Sequence, residues 1–378
     1  MRPLKVCHIL FGLDIGGIET LAVKLVNRMD RSRFEQSIVC LTEQDELASE
    51  IEPGAARRFH LRRKEGHDLA LLPRVARLLG EIRPDVIHTR NWSTFLEGIL
   101  PSLLVGIQGR VHSFDGLNAD NLGPEPRRRI IAQRLLMPFV DQVVARSEAM
   151  RDAMCEQLRL SPDRVRLIAD GIDLERFDRP VDKDAVRARF GLSADDVVVG
   201  IVARLDPVKD HRTLFRALAL AHSREPALKL LIVGGGPLED ELRREAAGSP
   251  LRESIVFTGP QLDVPSLYGV MDIYAQPSLY EGVSGSILEA MAARLPVIST
   301  RVGGTVDIVR EGQNGFLVEP GDEGALAAHV LKLVGDRALA RTLGDSGRRL
   351  VEERFSLARV LDQYAEVYES AARGRWAA

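Results

Sequence analysis

Cysteine is scarce: Cys7, Cys40 and Cys155 are the only three in 378 residues, and they stand far apart. Their spacing fits neither a metal site nor a disulfide framework. Cys7 and Cys40 fall in apolar, strand-like runs, where a thiol acts as a small buried side chain, so no metal is expected. An excess of one charge is also missing. The chain has 51 Lys and Arg against 54 Asp and Glu, a net charge of −3, which gives no general argument for a nucleic-acid partner. No run is apolar and long enough to span a bilayer. Gly98–Ile107 is short, contains Pro101, and reads as a buried helix or loop. Val6–Leu13 contains His8 and runs into Asp14 without a small-residue cleavage site, which suits a strand better than a signal peptide. A cytoplasmic protein is the expectation. There is no low-complexity segment, no P-loop, no metalloprotease helix and no Ser/His/Asp nucleophile set. The dinucleotide fingerprint is absent too: in Gly234-Gly235-Gly236-Pro237, Glu239 takes the third required glycine position. A nicotinamide dehydrogenase is therefore a poor reading.

What is present is a regular alternation of strands and helices. A length of 378 residues makes two domains the natural expectation. Short apolar runs predict strands at Lys5–Leu10, Gln36–Leu41, Val86–Thr89, Gly109–Ser113, Gln142–Ala145 and Val165–Ile168. A second series follows at Val197–Ala203, Leu228–Val233, Ile255–Thr258, Ile273–Ala275, Val297–Thr300 and Gly315–Val318. Nearly every position in them is apolar, as in a parallel sheet covered on both faces. Helical periodicity falls between them, at Glu19–Met29, Leu69–Ile82 and Arg127–Phe139, and late in the chain at Ala338–Glu353 and Leu357–Ala372. Two doubly wound α/β domains follow. The boundary lies near Ala169–Phe177, dividing the chain into residues 1–170, 171–356 and a C-terminal helical segment 357–378 that can return to the first domain. Ligands of open parallel sheets bind beyond the carboxyl ends of strands, so the loops there are the place to look.

One such segment carries the most information: Leu279-Tyr-Glu281-Gly282-Val283-Ser284-Gly285-Ser286-Ile-Leu-Glu289. Two carboxylates stand eight positions apart, a spacing that does not align them on one helix face. Glu281 is expected on the loop and Glu289 inside the helix that follows. Backbone N–H groups at that helix start suit an anion, while carboxylates accept from hydroxyls. A ligand with phosphate and sugar hydroxyls fits the mixture. Alternatively, Ser286-x-x-Glu289 is a capping box and Glu281 merely favours the positive helix end.

Other loops are compatible with the same ligand. Arg204 and Lys209 follow a strand and can hold a pyrophosphate, although Asp206 and Asp210 could instead pair with them locally. Gly12-Leu-Asp14-Ile-Gly16-Gly17 opens a helix and lets backbone approach phosphate or sugar, or is simply a tight turn. The triglycine turn at Gly234 lets backbone pass close to a ligand or a neighbouring loop. His112, with Asp115 and Gly116 after it, could meet a substrate hydroxyl or be structural; His88 poses the same question, and His8 reads as core. Basic clusters at Arg57, Arg58, Arg62, Arg63 and Lys64 and at Arg127, Arg128, Arg129 and Arg134 are solvated faces, or contacts for anionic lipid or a phosphate-bearing acceptor.

In this order, the motifs resemble glycosyltransferase family 4, the retaining nucleotide-sugar transferases with the GT-B fold. Gly16-Gly17-Ile18-Glu19 resembles the N-terminal glycine loop, and Asp170-Gly-Ile-Asp173 the junction motif Asn-Gly-Ile-Asp with Asp in place of Asn. Arg204 and Lys209 match the pyrophosphate pair, Glu281 and Glu289 the E-x7-E signature, and Gly303-Gly304 the loop beyond it. Arg294 stands where the family usually has Gly, and Asp307 where it has Glu. Ala203 to Leu214 further resembles sugar transferases of exosortase-type exopolysaccharide systems.

The resemblance implies two Rossmann-like domains facing a central cleft, an acceptor-side domain at 1–170 and a donor domain at 171–356. It implies catalytic roles for Glu281, His112, Arg204 and Lys209. Donor contacts would come from Gly16, Gly17, Arg204, Lys209, Glu281, Gly282, Val283, Ser284, Gly285 and Glu289. Glu281 would orient the donor sugar and Glu289 would accept from ribose. A UDP-sugar is favoured over a GDP-sugar as co-substrate, with no other cofactor. The acceptor would be a saccharide or lipid-linked saccharide, with peripheral contact at the inner face of the membrane and no nucleic acid. The rival readings are another GT-B enzyme, a nucleotide-sugar epimerase or phosphorylase, and a protein that binds nucleotide sugars without turnover.

Overall fold

A computed structural model describes residues 2–14, 16–64, 68, 70–114 and 126–374. Ile15, Leu69, Asp115 and Gly116, named above, lie outside them. The chain divides into two compact units, Met1–Gly171 with Ala358–Ala378, and Ile172–Leu357.

The first unit contains strands β1 (Leu4–Leu10), β2 (Phe34–Cys40), β3 (Ala56–His60), β4 (Val86–Arg90), β5 (Gly109–Phe114), β6 (Gln142–Ala145) and β7 (Val165–Leu167). Its helices are α1 (Gly17–Arg28), α2 (Leu71–Ile82), α3 (Asn91–Leu104), α4 (Arg127–Leu136) and α5 (Glu148–Leu158). All seven strands are parallel, in the order β3-β2-β1-β4-β5-β6-β7. Side chains alternate across the sheet, and β1 shows the consequence. Val6 packs with Leu21 and Leu25 of α1 and with Val360 and Tyr364 near the C-terminus. Cys7 and Ile9 point the other way, toward Val75, Leu79, Phe95 and Ile99 of α2 and α3. Both faces are covered, which is why the strand runs lack polar alternation. Gly98–Ile107 lies mostly within α3, with Pro101 inside the helix.

The second unit contains β8 (Val197–Val202), β9 (Leu228–Val233), β10 (Ile255–Gly259), β11 (Ile273–Gln276), β12 (Val297–Thr300) and β13 (Gly315–Val318). Its helices are α6 (Leu174–Phe177), α7 (Lys183–Arg189), α8 (His211–His222), α9 (Glu239–Ala247), α10 (Val264–Tyr268), α11 (Gly285–Ala292), α12 (Thr305–Ile308), α13 (Glu323–Gly335) and α14 (Arg337–Arg354). The sheet is again parallel, in the order β10-β9-β8-β11-β12-β13. Val197, Val199 and Ile201 pack with Leu214, Leu218, Leu326 and Val330 of α8 and α13. The last helix, α15 (Leu357–Arg373), starts at the end of the second unit, and its residues from Ala358 belong to the first.

Two sequence features take on a physical meaning. The run Ala56-Arg-Arg-Phe-His60 was expected only as part of a basic cluster, yet it forms β3 at the sheet edge with Arg57 and Arg58 exposed. Charged side chains on an edge strand discourage pairing with another chain. Arg294, standing where the family has Gly, follows α11 with φ 60°. An L-residue is strained there. Its side chain offsets part of that cost through an exposed ion pair with Asp345 at 3.0 Å.

Candidate active site

The strand order of the second sheet turns between β8 and β11: β9 and β10 extend on one side, β12 and β13 on the other. Loops leaving the carboxyl ends of such a pair diverge to opposite sides and open a crevice. The loop after β8 carries Arg204 and Lys209, and the loop after β11 carries Glu281. A backbone hydrogen bond from Leu279 N–H to the Val208 carbonyl, 2.7 Å, ties the two together.

Glu281 is buried and fixed through one oxygen. Its Oε1 accepts from Lys209 Nζ at 2.6 Å, from Ser278 Oγ at 2.6 Å and from Gln276 Nε2. Oε2 makes no hydrogen bond among the described residues, so one oxygen anchors the side chain while the other can accept from a ligand hydroxyl. The supporting backbone is held by β12: Ser299 Oγ donates to the Gln276 carbonyl at 3.1 Å and Thr300 Oγ1 to the Ser278 carbonyl at 2.5 Å.

The acidic neighbours of Arg204 and Lys209 are occupied elsewhere. Asp206 accepts from Val208 N–H at 3.1 Å. Asp210 caps α8 by accepting from Thr213 N–H at 3.3 Å and Thr213 Oγ1 at 2.5 Å. Among the described residues neither aspartate pairs with Arg204 or Lys209; the Lys209 ammonium pairs with Glu281 instead. Arg204 is exposed, and its guanidinium has no hydrogen bond or ion pair among the described residues, which leaves it able to grip an anion with paired donors.

Close backbone approach explains two glycines. Gly234 has φ 137°, and a Cβ there would overlap the Ala203 carbonyl. The triglycine turn therefore packs on the neighbouring loop that bears Arg204. Gly303 has φ 44°, and a Cβ there would overlap the Glu281 carbonyl, which also accepts from Gly304 N–H at 3.2 Å.

Gly282 and Val283 connect Glu281 to α11, with Ser284 at its N-cap and Gly285 as its first residue. No side chain caps that first turn, because Ser284 Oγ is turned to Gln276 Oε1 at 3.1 Å. Ser286 lies inside the helix and donates to the same oxygen at 2.9 Å. The capping box therefore does not form. Glu289 instead accepts from Tyr268 OH at 3.1 Å through Oε2. Burial, together with the Glu289 carboxylate, holds the Tyr268 phenol protonated well above its usual range.

Lys209, Glu281, Gly282–Gly285 and Glu289 thus gather in one unit, with Arg204 on the same loop as Lys209. Gly16, Gly17 and His112 belong to the first unit. Gly16 is the N-cap of α1 and has no side chain of its own to cap that helix. Arg146 Nη1 lies 3.9 Å from where a Gly17 Cβ would stand. Arg146 also forms a buried ion pair with Asp170, which accounts for Asp in place of Asn in the junction motif. His112 is fully buried between Phe95 and Phe114, and its Nδ1 meets Thr89 Oγ1 at 2.8 Å. Burial and the Arg90 cation push its pKa down to about 3, so the ring is neutral at physiological pH. His88 bridges Tyr368 OH at 2.8 Å and Ser113 Oγ at 2.6 Å, and His8 meets Gln36 at 2.7 Å; both are core groups.

The profile described as Glycosyltransferase Family 4 matches residues 15–176, and the one described as Glycosyl transferases group 1 matches residues 196–336. The D-inositol 3-phosphate glycosyltransferase of Salinispora arenicola is 32% identical over 310 residues, covering 76% of this chain and 69% of its own. The chain is a family 4 glycosyltransferase. Alpha-maltose-1-phosphate synthase of Mycolicibacterium smegmatis is 30% identical over 305 residues, covering 75% of this glycosyltransferase and 78% of its own length. The Anabaena protein Alr3699/HepE, crystallised with UDP, superposes with a TM-score of 0.84 at 22% identity, covering 97% of this chain and all of its own. The fold is GT-B, and the protein is an enzyme that transfers sugars.

Reading the sequence of this glycosyltransferase missed Gln276, Ser278 and Tyr268. Gln276 left a trace: it is a lone amide at the carboxyl end of an otherwise apolar strand. Ser278 and Tyr268 left none, since only folding brings them to the two glutamates.

Proposed function

We propose that the enzyme moves a sugar from a UDP-sugar to an acceptor hydroxyl with retention at the anomeric carbon, in the synthesis of exopolysaccharide or another cell-envelope glycan. The single observation that carries the donor half is the anchoring of Glu281 by one oxygen beside Lys209 at the turn in strand order. In this reading Arg204 and Lys209 stabilise the charge that builds on the departing diphosphate, and preorganised cations do this without metal. Glu281 Oε2 accepts from the sugar, Glu289 from ribose, and the first turn of α11 faces a phosphate. UDP is the base-bearing half we favour, because HepE was solved with UDP and with UDP-glucose. Retention and the exopolysaccharide role rest on the family and subgroup resemblance. Calorimetric titration with UDP-glucose, UDP-N-acetylglucosamine and GDP-mannose, followed by NMR of the anomeric proton in the product, tests the reading. An inverted product, or binding of none of the three, would sink it.

Glu289→Ala is expected to weaken UDP binding about 10-fold, the scale of a hydrogen bond to a charged group, and to leave inorganic pyrophosphate binding unchanged. Equal UDP affinity in variant and wild type would remove the ribose role.

Contact with the membrane surface is part of the same proposal. Ile131, Leu135 and Phe139 are 57%, 68% and 47% exposed and recur at four-residue intervals along α4 and its extension, beside exposed Arg127, Arg128 and Arg134. Apolar side chains flanked by cations suit an anionic interface. Sedimentation with phosphatidylglycerol vesicles is expected for the wild type and lost in Ile131→Asp/Leu135→Asp. Equal sedimentation of both proteins would remove this contact.

A further inference from the structure

Gln276 is completely buried at the end of β11, after Ile273, Tyr274 and Ala275. An amide in such a place costs stability unless its groups are paired, and an aliphatic side chain would be the stable choice. Gln276 is paired at both ends. A carboxylate can only accept, so Nε2 must face Glu281 Oε1; it also reaches Ser278 Oγ at 3.3 Å. That orientation turns Oε1 to three hydroxyls: Tyr274 at 2.7 Å, Ser286 at 2.9 Å and Ser284 at 3.1 Å. One side chain therefore joins the anchored oxygen of Glu281 to the first turn of α11. It also occupies the Ser284 hydroxyl that would otherwise cap that turn.

We infer that Gln276 is the positioning residue that sets how firmly Glu281 holds the sugar half of a nucleotide sugar. It touches no substrate itself. Lys209 and Ser278 alone leave the carboxylate able to pivot about Oε1, and the amide adds the third donor that fixes which way Oε2 points. This rests on the donor-binding reading above and goes beyond it by assigning sugar affinity, as distinct from nucleotide affinity, to a residue outside the E-x7-E pair.

Calorimetry on the full chain with UDP, UDP-glucose, GDP and GDP-mannose gives, for each base, the ratio of the nucleotide Kd to the nucleotide-sugar Kd. Gln276→Met, close in size but without the amide, is expected to lower that ratio about 10-fold and to change the Kd of the nucleotide alone by less than about 2-fold. Gln276→Asn, one methylene shorter, serves the same purpose if the methionine variant does not fold. In a Glu281→Gln background the same substitution is expected to change the ratio by less than about 2-fold, because the group it positions is gone. A merely structural glutamine would weaken nucleotide and nucleotide sugar together and act equally in both backgrounds; that result overturns the inference. So does a wild-type ratio near one, or a variant with the wild-type ratio. Wild-type protein that binds no nucleotide sugar defeats the donor-binding reading, and this inference with it. Normal wild-type binding with an indifferent Gln276 variant defeats this inference alone.

Discussion

Lys209→Ala is expected to lower turnover by about 100- to 1000-fold, the usual loss when one fixed donor to developing charge is removed. The accompanying loss of stability should be small, and the contrast is the informative part. Removing one partner of a fully buried ion pair costs about 3–5 kcal/mol, because the other charge is stranded. Here the Lys209 side chain is 21% exposed and reaches water, while Glu281 at 7% keeps Ser278 and Gln276 as donors on the same oxygen. A cost of about 1–2 kcal/mol follows. Turnover with the donor found by calorimetry and thermal unfolding of the same preparation check both figures. Lys209→Arg keeps the charge and is expected to recover part of the rate, with less than full recovery because a planar fork replaces a compact ammonium. A stability loss of 3 kcal/mol or more with turnover intact would mean that the pair with Glu281 only holds the loop together.

Much of this architecture was legible because two covered parallel sheets demand short, nearly uninterrupted apolar runs. Gln142–Ala145, Leu228–Val233, Val297–Thr300 and Gly315–Val318 were readable to the residue. Strand β3 was not, since an edge strand needs only one well-covered flank and Arg57-Arg58 looks like any solvated run. The second unit's site was legible in its charged groups and illegible in what holds them. Glu281, Glu289, Arg204 and Lys209 stand out as carboxylates and cations near glycines. Their relation depends on β8 and β11 being neighbours, which no local pattern states. The aspartates show the same limit from the other side: Asp206 and Asp210 looked able to neutralise Arg204 and Lys209, and the backbone N–H groups of the next turn claim them first. His112 was visible as a candidate, but its neutrality comes from burial and from Arg90 on the neighbouring strand β4, a pairing that local sequence does not state.

Gly303→Ala is the second substitution with a large expected effect, and it acts on Glu281 from behind. Two costs are separable. The first is conformational: at φ 44° an alanine is strained by about 1–2 kcal/mol. The second is steric, since the new Cβ would overlap the backbone carbonyl of Glu281, an atom that cannot swing aside as a side-chain tip can. The overlap is relieved only if the β12 loop or the Glu281 backbone moves. Movement breaks the Gly304 N–H bond to that carbonyl and shifts a carboxylate whose Oε1 is held by three donors. A displacement of about 1 Å at a positioning group can cost about 100-fold in rate, so turnover should fall at least that far. Gly312→Ala supplies the control: Gly312 has φ 69° with nothing within 4 Å of a Cβ, so it carries the first cost without the second. Thermal unfolding should show Gly303→Ala less stable than Gly312→Ala by about 1 kcal/mol or more, with near wild-type turnover in the control. Equal stability losses, and full activity in both variants, would mean that the Gly303 loop does not brace the carboxylate at all.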